Sequence, residues 1–221
     1  MPAPIWGEDV LTEGPVVAAN VRSLVARLHA EARLRTAPDV AMAHDWHREI
    51  YAGISSPPAP HFLGAFRGSA HPDLCAYDVI LMDARGNVHA QTPPAVDVAT
   101  HLARLNRGLD QAVSALDQLI PSGSTPADIG QVEAVVTLCA VLHGEWVCIH
   151  PYANGNGRTA RVWANWAALR YGLPPFVRIK PRPNNLMYGR AAAQSMGRPP
   201  DFVGDHTLTT SLFLDLLHTA P

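Results

Sequence analysis

From Trp146 to Pro200 the 221-residue chain contains not one aspartate or glutamate. The same stretch holds eight basic residues: Arg158, Arg161, Arg170, Arg178, Lys180, Arg182, Arg190 and Arg198. The rest of the chain therefore carries all 19 acidic residues against nine of the 17 basic ones. Such segregation implies a positive surface that faces phosphates. Cysteine is also scarce. Three residues, Cys75, Cys139 and Cys148, exclude a disulfide scaffold, lack zinc-ligand spacing and read as reduced thiols. No uninterrupted apolar run approaches 18 residues, and the first 25 residues lack a basic start followed by an apolar stretch. Neither a membrane span nor a secretory leader is expected, and a cytoplasmic location follows as the expectation.

What is present fits one globular domain, or a domain with an appendage. Hydrophobic residues make up 48% of the chain, enough for a substantial core. After an irregular, proline-containing lead-in over 1–15, Val16 to Arg35 has helical periodicity, with Val17, Val21, Leu24, Val25 and Leu28 in one stripe. Asp39 is placed to cap a second helix that runs to about Ile54. On it His44 and His47 are neighbours three apart, but without a third ligand they make a poor metal site. Three prolines break the chain between Ser55 and Pro60. Tyr77 to Leu81 and Val88 to Gln91 are β-like runs joined by a hairpin turn over Asp83 to Asn87. Pro93-Pro94 opens a long helix with Val98, Leu102, Leu105, Leu109, Val113 and Leu116 on one side. Thr125 reads as the cap of the next helix, with Pro126 at its first position. That helix, to about Ile149, is apolar nearly all round from Ala134 to Leu142 and is expected at the centre of the core. Two more helices are expected, over Asn184 to Met196 and Thr207 to His218. No internal repeat occurs.

The stretch His150-Pro-Tyr-Ala-Asn-Gly-Asn-Gly-Arg-Thr-Ala-Arg161 lies between the apolar helix and a further helical pattern, Ala160 to Tyr171. It is too polar and glycine-rich to be core. Gly155-Asn156-Gly157 frees the backbone for positive φ and turns N–H groups toward one point ahead of a helix start, a site for an anion such as phosphate. Arg158 and Arg161, three apart, share a helix face and can meet the same anion. His150 stands where a general base would face a nucleophile attacking that phosphate.

This stretch resembles the signature of Fic domains, HxFx(D/E)GN(G/K)RxxR. Leu142-His143, Ile149, Leu169, Tyr171, Gly172 and Pro174 agree as flanking context. His47-Arg-Glu-Ile-Tyr51 resembles the family's early helix, and Gly64-Ala-Phe-Arg67 its Gly-x-x-Arg element. The resemblance implies a mainly α fold, a helical bundle with a short β-hairpin flap, over residues 39–221. Residues 1–38 would be an N-terminal extension. The implied activity is protein adenylyltransfer, in which AMP from ATP moves onto a Ser, Thr or Tyr hydroxyl of a target protein clamped at the flap, residues 77–92. His150 would be the base. Asn154, Gly155, Asn156, Gly157, Arg158 and Arg161 would bind the phosphates, with Asn156 and Arg158 also catalytic. Asn185 and Tyr188 are candidates for the nucleobase pocket.

Two positions depart from the signature. Tyr152 replaces phenylalanine, a mild change. Asn154 replaces the acid that ligates Mg²⁺ in the family, and an amide oxygen supplies no charge. The alternative reading is therefore a degenerate Fic module that binds a nucleotide, or another phosphate-containing substrate, without ordinary AMP transfer. A nucleic-acid binder is not favoured, because residues 158–198 lack interleaved aromatics and a recognisable motif. The family's inhibitory [S/T]xxxE[G/N] helix is missing: none of the six glutamates satisfies the pattern, and Glu13, the one followed by glycine, has Asp9 where Ser or Thr is needed. Arg161 is therefore expected to be unblocked within the chain, with any restraint supplied by a separate partner.

Overall fold

A computed structural model describes residues 13–54, 59–82, 85–86, 88–183 and 186–219, apart from the side chains of Met82 and His89. The described chain is mainly helical. Helices α1 (Gly14–Glu31), α2 (Met42–Ile50), α3 (Val98–Leu119), α4 (Ile129–Ile149), α5 (Asn156–Arg170), α6 (Leu186–Gln194) and α7 (Thr207–His218) surround one core. A two-stranded antiparallel hairpin, β1 (Ile80–Met82) and β2 (Val88–Gln91), pairs Ile80 with Gln91 and Leu81 with Ala90.

Helix α4 is the axis. Val135, Val136, Leu138, Cys139, Ala140, Leu142, Trp146 and Ile149 are all buried, so it is apolar on nearly every face. By length and composition it could cross a membrane, yet 67% of its most apolar window is buried among the other helices, as for a core helix. Helix α5 packs along it through Trp163, Trp166, Ala160, Ala164 and Ala167, whose small residues let the two backbones approach. The α3 stripe is as expected, with Val98, Leu102, Leu105, Leu109, Val113 and Leu116 buried. In α1, Val17, Val21, Leu24 and Leu28 join the same core, so the 38/39 boundary marks where the family resemblance starts rather than a break in packing.

Several helix ends differ from expectation. Helix α2 is shorter than Asp39 to Ile54: Asp39 Oδ1 accepts from the Ala41 N–H at 2.8 Å, a local turn that delays the helix to Met42. Helix α4 begins later than Thr125-Pro126, because Asp128 is its cap, accepting from the Gln131 N–H at 2.9 Å. Helix α5 begins earlier than Ala160, at Asn156, so most of the glycine-rich stretch is its first turn. The hairpin turn at Asp83, Ala84 and Asn87 lies outside the described residues.

Candidate active site

The loop between α4 and α5 is built from both ends. His150 closes α4 in the left-handed conformation (φ 52°), and Gly155 opens α5 in the same region (φ 80°). A Cβ on Gly155 would lie 2.5 Å from the Tyr51 hydroxyl and 2.8 Å from His47 Nε2, so conformation and crowding both require glycine there. Gly157, by contrast, is simply helical.

Three side chains hold the loop between these ends. Asn156 forms a reciprocal pair with Tyr152: its Oδ1 accepts from the Tyr152 N–H and its Nδ2 donates to the Tyr152 carbonyl, both at 2.8 Å. His47 Nδ1 accepts from the Gly64 N–H at 3.0 Å, which leaves Nε2–H to donate to the Asn154 carbonyl at 3.0 Å. Burial pushes the His47 pKa down to about 3, keeping it neutral in this role. Arg67, buried, donates Nε to the His150 carbonyl at 2.6 Å and a terminal nitrogen to the Ile149 carbonyl at 2.8 Å and Thr92 Oγ1 at 2.9 Å. Those carbonyls end α4, where a helix leaves acceptors unsatisfied and favours a cation. The Tyr152 ring is buried between His47 and Phe66, with centroids at 4.0 and 4.9 Å. Tyrosine thus anchors the loop as phenylalanine would.

The loop floors a cavity of about 530 Å³. Of the expected site residues, His150, Asn154, Gly155, Asn156, Gly157, Arg158, Arg161 and Tyr188 all line it. Asn185 lies outside the described residues. Sequence reasoning gave no site role to Lys180 and Arg182, which also line the cavity, although both belong to the acid-free basic stretch. His150 donates Nδ1–H to the Val147 carbonyl at 2.8 Å, which assigns its free lone pair to Nε2. Burial lowers its pKa to about 4, so Nε2 is unprotonated near neutrality.

Asn156 lines the cavity while one N–H and one lone pair of its amide are used by Tyr152. The backbone N–H groups of Asn156 and Gly157, first in α5, meet no backbone acceptor among the described residues and are the donors available at the helix start. The two arginines diverge. Arg158 donates to the Tyr51 hydroxyl at 2.8 Å, and Arg161 donates to the Ile179 carbonyl at 3.1 Å and the Tyr188 hydroxyl at 3.0 Å. Tyr188 in turn meets His143 Nε2 at 2.8 Å. Arg161 has no carboxylate partner among the described residues, and Glu31 is paired with Arg27 at 2.6 Å.

No carboxylate lines the cavity among the described residues. Glu145, the nearest acid in sequence, faces elsewhere, bonded to His206 at 3.0 Å and Arg104 at 3.4 Å. Asn154 Oδ1 accepts the Gly155 N–H at 2.6 Å and brings no charge. This donor set does not fit a resident Mg²⁺, which favours anionic oxygen.

The fold resembles a Fic domain containing signaling protein from Bacteroides thetaiotaomicron, with TM-score 0.61 and 19% identity over 91% of this chain and 68% of that one. The N-terminal Fic domain of Bep8 from Bartonella sp. 1-1C is a more distant match, with TM-score 0.49 and 17% identity over 91% of this chain and 85% of that one. A 40-residue stretch is 48% identical to the uridine 5'-monophosphate transferase of Xanthomonas campestris pv. campestris (strain 8004), covering 18% of this chain and 8% of that protein. The chain thus spans a small fraction of that relative's length. The description of the Fic/DOC family matches residues 38–168, more than half of the sequence and the whole of the loop, and the chain belongs to that family.

Proposed function

We propose that the protein transfers a nucleoside monophosphate from a nucleoside triphosphate onto a protein hydroxyl. The observation that carries the reading is His150, neutral and with Nε2 free, on the rim of a cavity whose floor is a helix start and two arginines. A target Ser, Thr or Tyr oxygen attacks the α-phosphorus as His150 Nε2 takes its proton. The bond from the α-phosphorus to the bridging oxygen breaks, and pyrophosphate leaves. The N–H groups of Asn156 and Gly157, with Arg158 and Arg161, offset the charge on the phosphates. AMP from ATP is the donor that the family resemblance implies. The 40-residue match is to a protein named for UMP, so UTP stands beside ATP as a candidate.

Hairpin β1–β2 is the proposed clamp for the target segment, by strand addition at an open edge. Restraint by a separate partner remains part of the proposal. A second reading, nucleotide binding without transfer, is favoured by Asn154 and the absence of a lining carboxylate among the described residues. Incubating the protein with each α-³²P-labelled nucleoside triphosphate and a lysate, with and without Mg²⁺ or Mn²⁺, separates them. Label on protein that disappears in His150→Ala supports transfer. Saturable nucleotide binding without label in any condition would select the second reading.

A further inference from the structure

Outside the cavity, the turn that precedes the hairpin brings together two histidines and an aspartate that the proposed reaction does not use. We propose that His61, His71 and Asp73 form a binding site for one divalent transition-metal ion of the zinc class.

The three donors lie within 4.8 Å of one another. Asp73 Oδ2 lies 2.9 Å from His61 Nε2 and 4.0 Å from His71 Nδ1. A tetrahedral ion with bonds of about 2.0–2.1 Å places its ligand atoms roughly 3.3 Å apart, and the two distances bracket that spacing. Direction matters as much as distance. His61 Nε2 is buried, and although the carboxylate is beside it, no hydrogen bond joins them. The distance is that of a hydrogen bond but the angle is not, so the ring nitrogen is left without a partner beside the carboxylate. His71 Nδ1 accepts from the Asp73 N–H at 3.2 Å, a long bond that an ion at that nitrogen would replace.

The rings themselves stack at 3.8 Å and 16°. Stacked so, their in-plane lone pairs run nearly parallel, and one ring turns to bring both onto an ion. The side chains of His71 and Asp73 are 41% and 33% exposed, so solvent reaches the cluster from their side. Two imidazoles with one carboxylate suit Zn²⁺, Co²⁺ or Ni²⁺ better than Mg²⁺ or Ca²⁺. The ligands flank Arg67 in sequence, so the ion would close the 61–73 loop around the residue that holds the His150 carbonyl. The site is thus a tether for the active-site loop, distinct from any metal that accompanies a nucleotide.

The test is titration of the full chain, carrying no histidine tag, with Co²⁺ and with Zn²⁺ against a chromophoric chelator. Wild type should take up one equivalent of Co²⁺ with visible d–d absorption, and Zn²⁺ should displace it. His61→Ala/His71→Ala should lose that equivalent. Asp73→Asn should weaken Zn²⁺ by at least the roughly tenfold that even an outer-shell partner contributes. Zn²⁺ should raise the melting temperature of wild type only, and circular dichroism of the metal-free variants checks their fold. If the double variant does not fold, the Asp73→Asn titration decides. Equal uptake by wild type and variants, or no uptake by wild type, overturns the proposal.

Discussion

At the scale of single residues, the site rests more on what holds the loop than on what lines the cavity. Arg67 shows this. Its guanidinium satisfies the Ile149 and His150 carbonyls inside the protein, and a buried acceptor left unpaired costs about 1–3 kcal/mol. Arg67→Ala should therefore destabilise the fold by about 2–5 kcal/mol and lower transfer further than instability alone explains. Denaturant unfolding and turnover at matched folded fraction check both parts. At His150 the low pKa has a kinetic consequence. The base form persists down to about pH 4, so kcat/KM should stay level between pH 8 and 5.5, where an unperturbed histidine would already lose activity. His150→Ala should cost about 10²–10⁴-fold with nucleotide affinity nearly unchanged. Asn154→Asp keeps the acceptor for the Gly155 N–H and adds an anionic oxygen at the cavity. Titration should then show tighter Mg²⁺-dependent nucleotide binding, and an unchanged metal dependence would mean that position 154 does not govern the metal.

At the scale of elements, the hairpin and the motif loop are one mechanical unit. Thr92, at the foot of β2, accepts from Arg67 and donates to the Val79 carbonyl at 2.9 Å. Arg67 also donates its N–H to the Pro151 carbonyl at 2.8 Å. The path from hairpin to general base thus runs through one side chain. Ile80 and Val88 remain 53% and 58% exposed on the strands, apolar surface with no structural need for it. Ile80→Asp with Val88→Asp should leave the melting temperature within about 2 °C, leave nucleotide affinity intact and reduce labelling of the target. Equal loss of nucleotide binding would instead show that the hairpin supports the cavity. Much of this was legible beforehand. The α3 stripe follows from periodicity, the α7 limits are those expected, and the seven lining residues between His150 and Arg161 were found through a long signature. What was not legible depends on side chains that meet across the fold. Neither spacing nor composition says that Asn156 pairs with the Tyr152 backbone, or that His47 reaches the Asn154 carbonyl from α2. The cap of α4 moved to Asp128 because two acceptable caps lie three residues apart and only the packed structure chooses between them.

At the scale of the whole molecule, three histidines are held neutral by the fold, and this sets its response to acid. Burial lowers the pKa of His47 and His143 to about 3 and that of His150 to about 4. In the unfolded chain each returns to about 6.5. Below that value the unfolded state binds protons that the native state refuses, so stability falls as pH drops from about 6.5 toward 3. Each histidine contributes about 1.4 kcal/mol per pH unit while it differs between the states, less for the half-buried His150. The carboxylates of an ordinary acidic protein titrate lower, near 4, so an early onset is the signature of these rings. The same neutrality serves the cavity, whose basic lining gains nothing from further positive charge beside it. Denaturant midpoints measured from pH 8 to 4.5 should be level above pH 7 and then fall. His47→Gln should be less stable at pH 7.5 but should lose stability less steeply below pH 6.5. A midpoint that stays level to pH 5 would mean that the rings are solvated in the native protein, and His150 would then titrate as an ordinary histidine in the pH profile of transfer as well.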